Sequence, residues 1–290
     1  MTIDIEPLRR WIGKSETRSD VVTPTPIAAL AATLDRTEPW PQPGDPLPPI
    51  WHWLYFLPIY PLAASGPDGH PTRGEFLPPV ALPRRMWAGS RIAFHRPLRV
   101  GAAIVRTSRI ADVTTKEGRA GPLVFVRVRH EIADGCGLAI VDEHDIVYRG
   151  NPRAGEIAPP VPPAPGDHAF SREIDPDPVL LFRYSALTFN SHRIHYDRSY
   201  VTSVEGYPGL VVHGPLIATL LLDLLRRERP DATVATFAFR AVSPLFDGAP
   251  FAVCGQPGDD PRSIRLWAKN AHGGLAMDGT ATLGVEEGHR

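Results

Sequence analysis

Residues 189–229 decide the fold, and they read FNSHRIHYDRSYVTSVEGYPGLVVHGPLIATLLLDLLRRER. A histidine-rich segment comes first, and a Gly-Pro step then opens an apolar run that Pro230 ends. The apolar side chains recur with a helical period, at Leu216, Ile217, Leu220, Leu221, Leu224 and Leu225. This spacing predicts a helix over 215–229 with one broad apolar stripe. Such a stripe is typical of a helix that is buried against a curved sheet.

The flanking sequence predicts the strands of that sheet. In the second half one strand is predicted before the histidines and four after the helix, at 180–188, 233–241, 250–256, 262–270 and 276–285. The first half repeats this order, with a helix at 26–36 that Thr25 can cap. Its strands are predicted at 102–113, 122–133 and 138–149. A long helix with an antiparallel meander is the hot-dog arrangement, so the chain is predicted to be an α+β protein with a double hot-dog fold.

Two short segments support an internal duplication. Residues 92–101, IAFHRPLRVG, resemble residues 237–248, FAFRAVSPLFDG, and each ends in a proline and a glycine before a new strand. Chance similarity is the alternative, because both residues are common at strand ends. A proline-rich segment at 151–178 has no apolar periodicity and is predicted to be a linker. The expected halves are therefore 1–150 and 179–290.

Composition excludes several classes of function. The 31 Lys and Arg nearly balance the 32 Asp and Glu, so no global field favours nucleic acid or an anionic membrane. Cys136 and Cys254 lack a CxxC spacing, which argues against a disulfide framework or a zinc site. The chain shows no apolar signal-peptide core and no long apolar run. These features predict a cytoplasmic protein without a membrane or nucleic-acid partner.

The histidine-rich segment contains the candidate catalytic groups. His192 and His195 can exchange protons near neutral pH, and Asn190 and Asp197 lie beside them in sequence. The Asn-Ser-His run is prone to turn, and a bend there brings Asn190 and His195 to one pocket. The alternative is that the histidines only satisfy backbone groups in a loop. Their clustering beside a helix start favours the catalytic interpretation for His195.

Zinc binding is a further alternative for these residues. His192 and His195 have an HxxH spacing, and Asp197 and the more distant His213 are also ligand-type residues. An HxxH pair in a loop is a weak signal, and neither a cysteine nor a clear second shell of partners supports it. The sequence therefore predicts no metal.

The helix start predicts an anion site. Gly214 lets a ligand approach the backbone closely, and the first-turn N–H groups of a helix can bind an oxyanion. The alternative is an ordinary helix start with a glycine near its cap, which explains the glycine almost as well. In that case His213 only stabilises the turn through hydrogen bonds. Among the basic residues, Arg84, Arg85 and Arg91 are candidates to bind phosphates or a substrate carboxylate.

Two motifs carry a resemblance to known proteins. The segments IHYD at 194–197 and VHG at 212–214 resemble the hydratase 2 motif of MaoC-like hot-dog proteins. His195 falls on the catalytic histidine of that family, Asn190 falls where its catalytic aspartate usually sits, and residues 192–193 replace its Asn-Pro pair. LTFNSHRIHYDRSY at 187–200 and PRRMWAG at 83–89 are more similar to mesaconyl-C4-CoA hydratases and type 2 hydroxyacyl-thioester dehydratases.

The resemblance implies reversible hydration of an α,β-unsaturated acyl thioester. It implies His195 as general base, Gly214 as oxyanion donor, and Asn190 as a group that orients water or substrate, because an amide does not titrate. His192, Arg193 and His213 are then expected to contact the substrate. The α-carbon is expected to take its proton from His195 or its water network.

The resemblance also indicates the partners of the protein. An acyl-CoA or acyl-carrier-protein substrate is expected, and a homodimer is compatible with the fold. No redox cofactor is expected, since no Gly-rich dinucleotide motif is present. The alternatives are a hot-dog thioesterase and a non-catalytic acyl-CoA-binding protein.

Overall fold

The computed structural model of the protein describes residues 3–71, 76–118, 121–151 and 160–284. The helices are α1 Glu6–Arg9, α2 Pro24–Thr33, α3 Pro178–Leu187, α4 Arg198–Ser203 and α5 Gly214–Glu228. The strands are β1 Ser15–Val21, β2 Arg84–Phe94, β3 Ala103–Gly118, β4 Gly121–Asp134, β5 Gly137–Arg149, β6 Phe170–Ile174, β7 Val234–Ala241, β8 Phe251–Pro257, β9 Ser263–Asn270 and β10 Leu275–Leu283. Short 3-10 turns lie at Trp51–Leu54, Leu62–Ala64 and Arg193–His195.

Across the described ranges, ten strands form one antiparallel sheet in the order β1-β3-β4-β5-β2-β7-β10-β9-β8-β6. The two halves of this sheet have the same topology. In each half the first strand pairs with the third, the third with the fourth, the fourth with the fifth, and the fifth with the second. In each half a helix lies between the first and second strands. This repeated connectivity supports the duplication that the sequence predicts.

The second strands of the two halves, β2 and β7, join the sheet in the middle. Residues 89–93 pair with residues 236–240, and the paired Ile92 and Phe237 are both buried. A Cβ atom at Gly89 would overlap the carbonyl oxygen of Phe239, so glycine allows the two strands to approach. One hydrophobic core therefore continues from one half into the other.

Helix α5 forms the centre of the second half. It begins at Gly214, one residue before the predicted start, and ends at Glu228, close to Pro230. Every residue from Leu216 to Leu225 is buried, and the helix packs against β8 and β9. The burial extends around the whole helix and is wider than the predicted stripe, because the other elements of the core cover the face that the sheet leaves open.

The prediction of a strand at 180–188 is wrong, because this segment is helix α3. The Asp177 carboxylate accepts a hydrogen bond from the Leu180 N–H at 2.7 Å, and Pro178 occupies the first turn. Leu181 and Tyr184 are buried one helical turn apart. A cap, a first-turn proline and this spacing together outweigh the strand-like composition.

The first strand of the second half lies inside the predicted linker. β6 at Phe170–Ile174 pairs with β8, although its sequence belongs to the proline-rich segment. Residues 152–159 of that segment lie outside the described residues. We infer that the second half begins at β6.

A smaller correction concerns the first half. Helix α2 begins at Pro24 after Thr23, so Thr25 lies inside it and does not cap it. Cys136 is exposed, Cys254 is buried, and both are free thiols. In the part of the chain that the structure describes, no helix has the length and apolarity needed to cross a bilayer.

A buried carboxylate connects the main helices of the two halves. Asp223 of α5 is 3% exposed and pairs with Arg36 at 2.8 Å, with Arg172 at 3.1 Å and with Arg227 at 2.7 Å. Arg227 also donates to the carbonyl oxygen of Leu34 at 2.7 Å, just after α2. The ion-pair cluster thereby fixes the end of α2 against α5.

We expect Asp223→Ala to lower the free energy of unfolding by about 1.5–3 kcal/mol, because it removes the buried carboxylate that accepts charged hydrogen bonds from three half-buried arginines. Denaturant unfolding followed by circular dichroism measures the change. Asp260→Ala is the matched control, since Asp260 lies 3.9 Å from Arg262 on the surface and its loss should change stability little. Equal stability of the two variants would contradict a structural role for the cluster.

Candidate active site

His195 is the best-defined proton-transfer group of the histidine-rich segment. It ends the 3-10 turn Arg193–His195, and its Nδ1 lies 2.7 Å from the carbonyl oxygen of Val211. A carbonyl oxygen only accepts, so Nδ1 carries the proton and Nε2 keeps its lone pair. Burial lowers the pKa of His195 to about 4, although the hydrogen bond to Val211 opposes the shift. At neutral pH the ring is therefore a neutral imidazole suited to act as a base.

The ring of His213 stacks against the ring of His195. The two rings stack with centroids 3.7 Å apart and planes 18° apart. The His213 Nε2 shares a hydrogen bond of 2.8 Å with the Ser185 hydroxyl, and the residue is fully buried. Burial lowers its pKa well below the ordinary value, so this ring is also neutral. The sequence predicts that His213 contacts the substrate, whereas in the structure its ring is fully buried and stacked on His195.

Asn190 forms the turn that follows α3. Its backbone N–H donates to the carbonyl oxygen of Ser185 at 2.8 Å, and its side-chain Oδ1 accepts from the His192 N–H at 3.0 Å. Phe189 adopts a φ of 49°, which makes the bend that the sequence predicts. The Asn190 Nδ2 makes no hydrogen bond with a described residue, so it is available to a ligand.

Gly214 begins α5 one residue after His213. Its backbone N–H makes no hydrogen bond with a described residue, and a Cβ atom at this position would meet nothing within 4 Å. The glycine does not have a positive φ angle. This N–H is therefore an unpaired donor, among the described residues, at the start of a long helix, as an oxyanion site requires.

Two residues that the sequence analysis does not identify complete the cluster. Asp68 and His70 come from the first half, and their side chains pair at 3.2 Å. The centroids of the His70 and His192 rings lie 4.0 Å apart. The centroids of the His192 and His195 rings lie 5.4 Å apart. Burial lowers the pKa of His192 to about 2, so its ring is neutral. In the sequence, Asp68 and His70 belong to an Asp-Gly-His turn that lies more than a hundred residues before His192. This turn is the only sequence feature that could have pointed to them.

Most of the candidate basic residues are engaged elsewhere. Arg193 pairs with Asp197 at 2.8 Å and its guanidinium lies 4.1 Å from the centre of the Tyr200 ring. Arg84 pairs with Glu205 at 3.2 Å. These contacts assign both arginines to structural positions within the fold.

Arg85 and Arg91 differ in their surroundings. Arg91 donates to Asp145 and Glu143 on the exposed side of β5. Arg85 is half-buried, and its side chain makes no hydrogen bond or ion pair with a described residue. Burial is the main cause of the lowered pKa of His192, and the charge of Arg85 is a smaller cause in the same direction. Arg85 is thus the arginine best placed to receive an anion near the histidines.

The zinc alternative for the HxxH pair is not supported by the geometry. His195 donates Nδ1 to Val211, and His213 gives its Nε2 to Ser185. Asp197 caps α4 by accepting from the Tyr200 N–H at 2.9 Å. These residues do not converge on a single ion position. A different set, Asp68, His70 and His192, brings ligand-type atoms within 4.8 Å of one another.

A second histidine cluster lies inside the first half. Asp142 is 1% exposed, and its Oδ2 accepts from His52, Trp53 and His144 at 3.1, 2.8 and 2.8 Å. These bonds fix the turn at Trp51–Leu54 to β5. The enclosed cavity beside them is only about 20 Å³ in volume, so the cluster stabilises the fold and has no room for an acyl substrate.

Solved structures with the same architecture identify the fold. A MaoC-like dehydratase from Phytophthora capsici superposes with a TM-score of 0.64 and 15% identity, over 98% of this chain and 100% of that chain. A Mycobacterium tuberculosis protein described as having a double hot-dog fold gives a TM-score of 0.58 and 14% identity, over 94% and 96% of the two chains. At these identities the likeness concerns the fold alone, and it confirms the predicted double hot-dog fold.

Sequence comparison identifies the family. Residues 50–247 match the hydroxyacyl-thioester dehydratase type 2 family. The chain is also 49% identical over 275 residues to mesaconyl-C(4)-CoA hydratase of Chloroflexus aurantiacus, and the alignment covers 94% of this chain and 97% of that protein. The chain belongs to the hydroxyacyl-thioester dehydratase type 2 family, and it is a hydro-lyase.

The lowered pKa of His195 gives a prediction for acidic solution. Because burial favours the neutral ring, His195 should stay neutral below the ordinary imidazole range and take up a proton only as the pH falls through about 4. NMR of the ring Cε1–Hε1 pair between pH 8 and pH 4 measures this, with the signal assigned from a His195→Gln spectrum. Titration of His195 near pH 6.5 would contradict the buried, neutral base.

Proposed function

We propose that the protein reversibly hydrates a short enoyl-CoA whose acyl group carries a carboxylate, with mesaconyl-C4-CoA as the first candidate. The observation that carries the proposal is the neutral, buried His195, held by Val211 with its Nε2 lone pair available. Gly214 begins helix α5 three residues after Val211, and its N–H has no hydrogen-bond partner among the described residues. A base beside an oxyanion donor is the arrangement that water addition to an enoyl thioester requires.

The reaction follows from these groups. Nε2 of His195 accepts a proton from water, and the water oxygen forms a bond to the β-carbon. The π electrons move toward the thioester, whose oxygen gains negative charge and accepts a hydrogen bond from the Gly214 N–H at the positive end of the α5 dipole. Protonation of the α-carbon then gives the 3-hydroxyacyl thioester. Asn190 orients the water through its Nδ2 group.

Arg85 supports a substrate with a carboxylate. In a mesaconyl thioester the acyl group is a dicarboxylic acid, so one carboxylate remains free after thioester formation. The guanidinium of Arg85 has no ion pair with a described residue, and its charge is one of the smaller causes that lower the pKa of His192. A planar guanidinium binds a carboxylate through two parallel hydrogen bonds. Similarity to mesaconyl-C(4)-CoA hydratase of Chloroflexus aurantiacus supports the same class of substrate.

We expect His195→Ala to lower turnover by about 10²–10⁴-fold, the usual contribution of general acid–base catalysis. Loss of the enoyl-thioester absorbance measures hydration, and a thiol reagent in a parallel sample detects hydrolysis. His272→Ala is the control, because this histidine is exposed in the turn between β9 and β10. Thiol release by the wild type without hydration would indicate a thioesterase, and binding without turnover would indicate a non-catalytic acyl-CoA-binding protein.

We expect Arg85→Gln to raise KM for mesaconyl-C4-CoA far more than for crotonyl-CoA, which lacks the second carboxylate. The loss of a charge-assisted bidentate contact accounts for the difference. Arg91→Gln is the matched control, since it removes an arginine of the same strand that pairs with Asp145 on the exposed side of the sheet. A parallel loss for both substrates would contradict carboxylate recognition by Arg85.

A further inference from the structure

The orientation of His195 depends on the position of Val211. The Val211 carbonyl oxygen accepts from His195 Nδ1 at 2.7 Å, and the Val211 N–H donates to the carbonyl oxygen of Ile194 at 2.9 Å. The direction of the imidazole and the nitrogen that carries its proton are both set by this carbonyl group. The residues that hold Val211 in place lie in the loop between β7 and β8.

Asp247 of that loop binds the residue before Val211. Its Oδ1 accepts from the Leu210 N–H at 2.7 Å, and its own N–H donates to the Leu210 carbonyl oxygen at 2.9 Å. On the other side, the Val212 N–H donates to the carbonyl oxygen of Leu245 at 2.9 Å. Hydrogen bonds to the β7–β8 loop therefore lie on both sides of Val211.

The Asp247 carboxylate is enclosed, although it lies in a loop. Its side chain is 2% exposed, and its Oδ2 accepts from Arg198, the first residue of α4. A Cβ atom at Gly209 would overlap Oδ1, so this glycine makes room for the carboxylate. Arg198 follows His195 by three residues. One carboxylate thus binds the chain both just after His195 and just before Val211.

The first half contains the same contact between two loops. The Leu47 N–H donates to the carbonyl oxygen of Leu98 at 2.7 Å, and the Val100 N–H donates to that of Asp45 at 3.0 Å. In each half an isolated antiparallel bridge lies between the two hydrogen bonds. The loop contact is therefore a repeated element of the fold.

The repeat differs at the residue that carries the carboxylate. PLRVG at 97–101 aligns with PLFDG at 244–248, so the first half has Val100 at the position of Asp247. Val100 is 5% exposed, and the loop contact forms around this buried apolar side chain. The half that contains His195 therefore has a carboxylate that the shared loop contact does not need.

We propose that Asp247 is a positioning residue for the hydration reaction, which holds the Val211 carbonyl so that His195 keeps its proton on Nδ1 and leaves Nε2 unprotonated. This inference rests on the hydratase function proposed above. A neutral imidazole can carry its proton on either nitrogen, so a displaced acceptor at Nδ1 reduces the fraction of molecules with a basic Nε2. In this role Asp247 exchanges no proton with the substrate.

Two substitutions remove the carboxylate from Leu210 in different ways. Asp247→Val introduces the residue type of Val100, so the loop contact should still form. Gly209→Ala leaves Asp247 in the chain and adds the Cβ atom that displaces its carboxylate. Both should lower kcat by about 10–10²-fold with little change in KM, because the base is misplaced while the binding surface remains. Asp247→Asn keeps an acceptor oxygen for the Leu210 N–H and should recover part of the turnover lost in Asp247→Val.

The tautomer of His195 is a readout that a merely structural role would not change. Long-range proton–nitrogen NMR correlations distinguish a protonated from an unprotonated ring nitrogen, and a His195→Gln spectrum assigns the signals. At neutral pH the wild type should have Nδ1 protonated and Nε2 unprotonated. In Asp247→Val the two nitrogen shifts should move toward each other, as expected for a mixture of tautomers. This measurement needs no substrate.

The chain offers a matched control for each substitution. Asp278→Val removes a carboxylate that pairs with Arg240 and Arg265 on neighbouring strands, each at 3.3 Å. Gly135→Ala adds a methyl group where a Cβ atom would meet nothing within 4 Å. Both controls should keep the wild-type kcat and the wild-type tautomer of His195.

The outcomes separate this inference from the proposed function. Unchanged kcat and tautomer in a folded Asp247→Val protein would overturn the inference, and so would a lower kcat with the wild-type tautomer. A rise in KM alone would also overturn it, since that result describes a binding residue. If Asp247→Val does not fold, Asp247→Asn and Gly209→Ala decide by the same two measurements. If the wild type hydrates no enoyl thioester, the proposed function fails, while the tautomer still decides whether Asp247 positions His195.

Discussion

The pairing of β2 with β7 is the constraint on which the rest of the molecule depends. It joins two five-stranded sheets into one, and it needs a glycine at position 89 because the Phe239 carbonyl leaves no room for a side chain. Through this junction the two halves take a fixed orientation. Arg85 lies at the start of β2, and the segment Ser65–Pro71 precedes the same strand. Both are thereby brought to the histidines of the second half.

Burial of the site histidines has a functional consequence. Imidazoles in water are partly protonated near neutral pH, whereas desolvation keeps His192, His195 and His213 neutral. Stacking on His213 and the hydrogen bond to Val211 fix both the ring plane and the tautomer of His195. The fold thus holds His195 as a neutral imidazole of fixed tautomer, which is the form that the proposed general base requires.

Sequence periodicity predicts the elements whose burial is regular. Helix α5 and seven of the strands fall close to their predicted positions, because a buried helix and an antiparallel meander repeat their apolar residues with fixed periods. Local composition wrongly predicts a strand at α3, where the Asp177 cap and Pro178 in the first turn stabilise a helix. It also fails at β6, whose pairing with β8 depends on a distant part of the chain.

The same distinction applies to the site. His195, Asn190 and Gly214 can be proposed from the sequence because they lie within twenty-five residues of one another in a motif with a helix after it. Asp68 and His70 escape detection because only the folded chain brings them to His192. Sequence spacing carries no information about such contacts.

The first half is therefore more than a degenerate copy of the second. Its helix α2 is shorter than α5, and His52 and His144 are enclosed around Asp142, where an acyl chain has no room. Two of its features lie toward the second half: Arg85, which we propose binds the substrate carboxylate, and the Asp68–His70 pair, whose His70 ring centroid lies 4.0 Å from that of His192. The hydrogen bonds from Ser191 and Arg193 to the Ser65–Pro71 segment join the two halves beside His192, so the first half helps to fix the position of the histidine-rich segment.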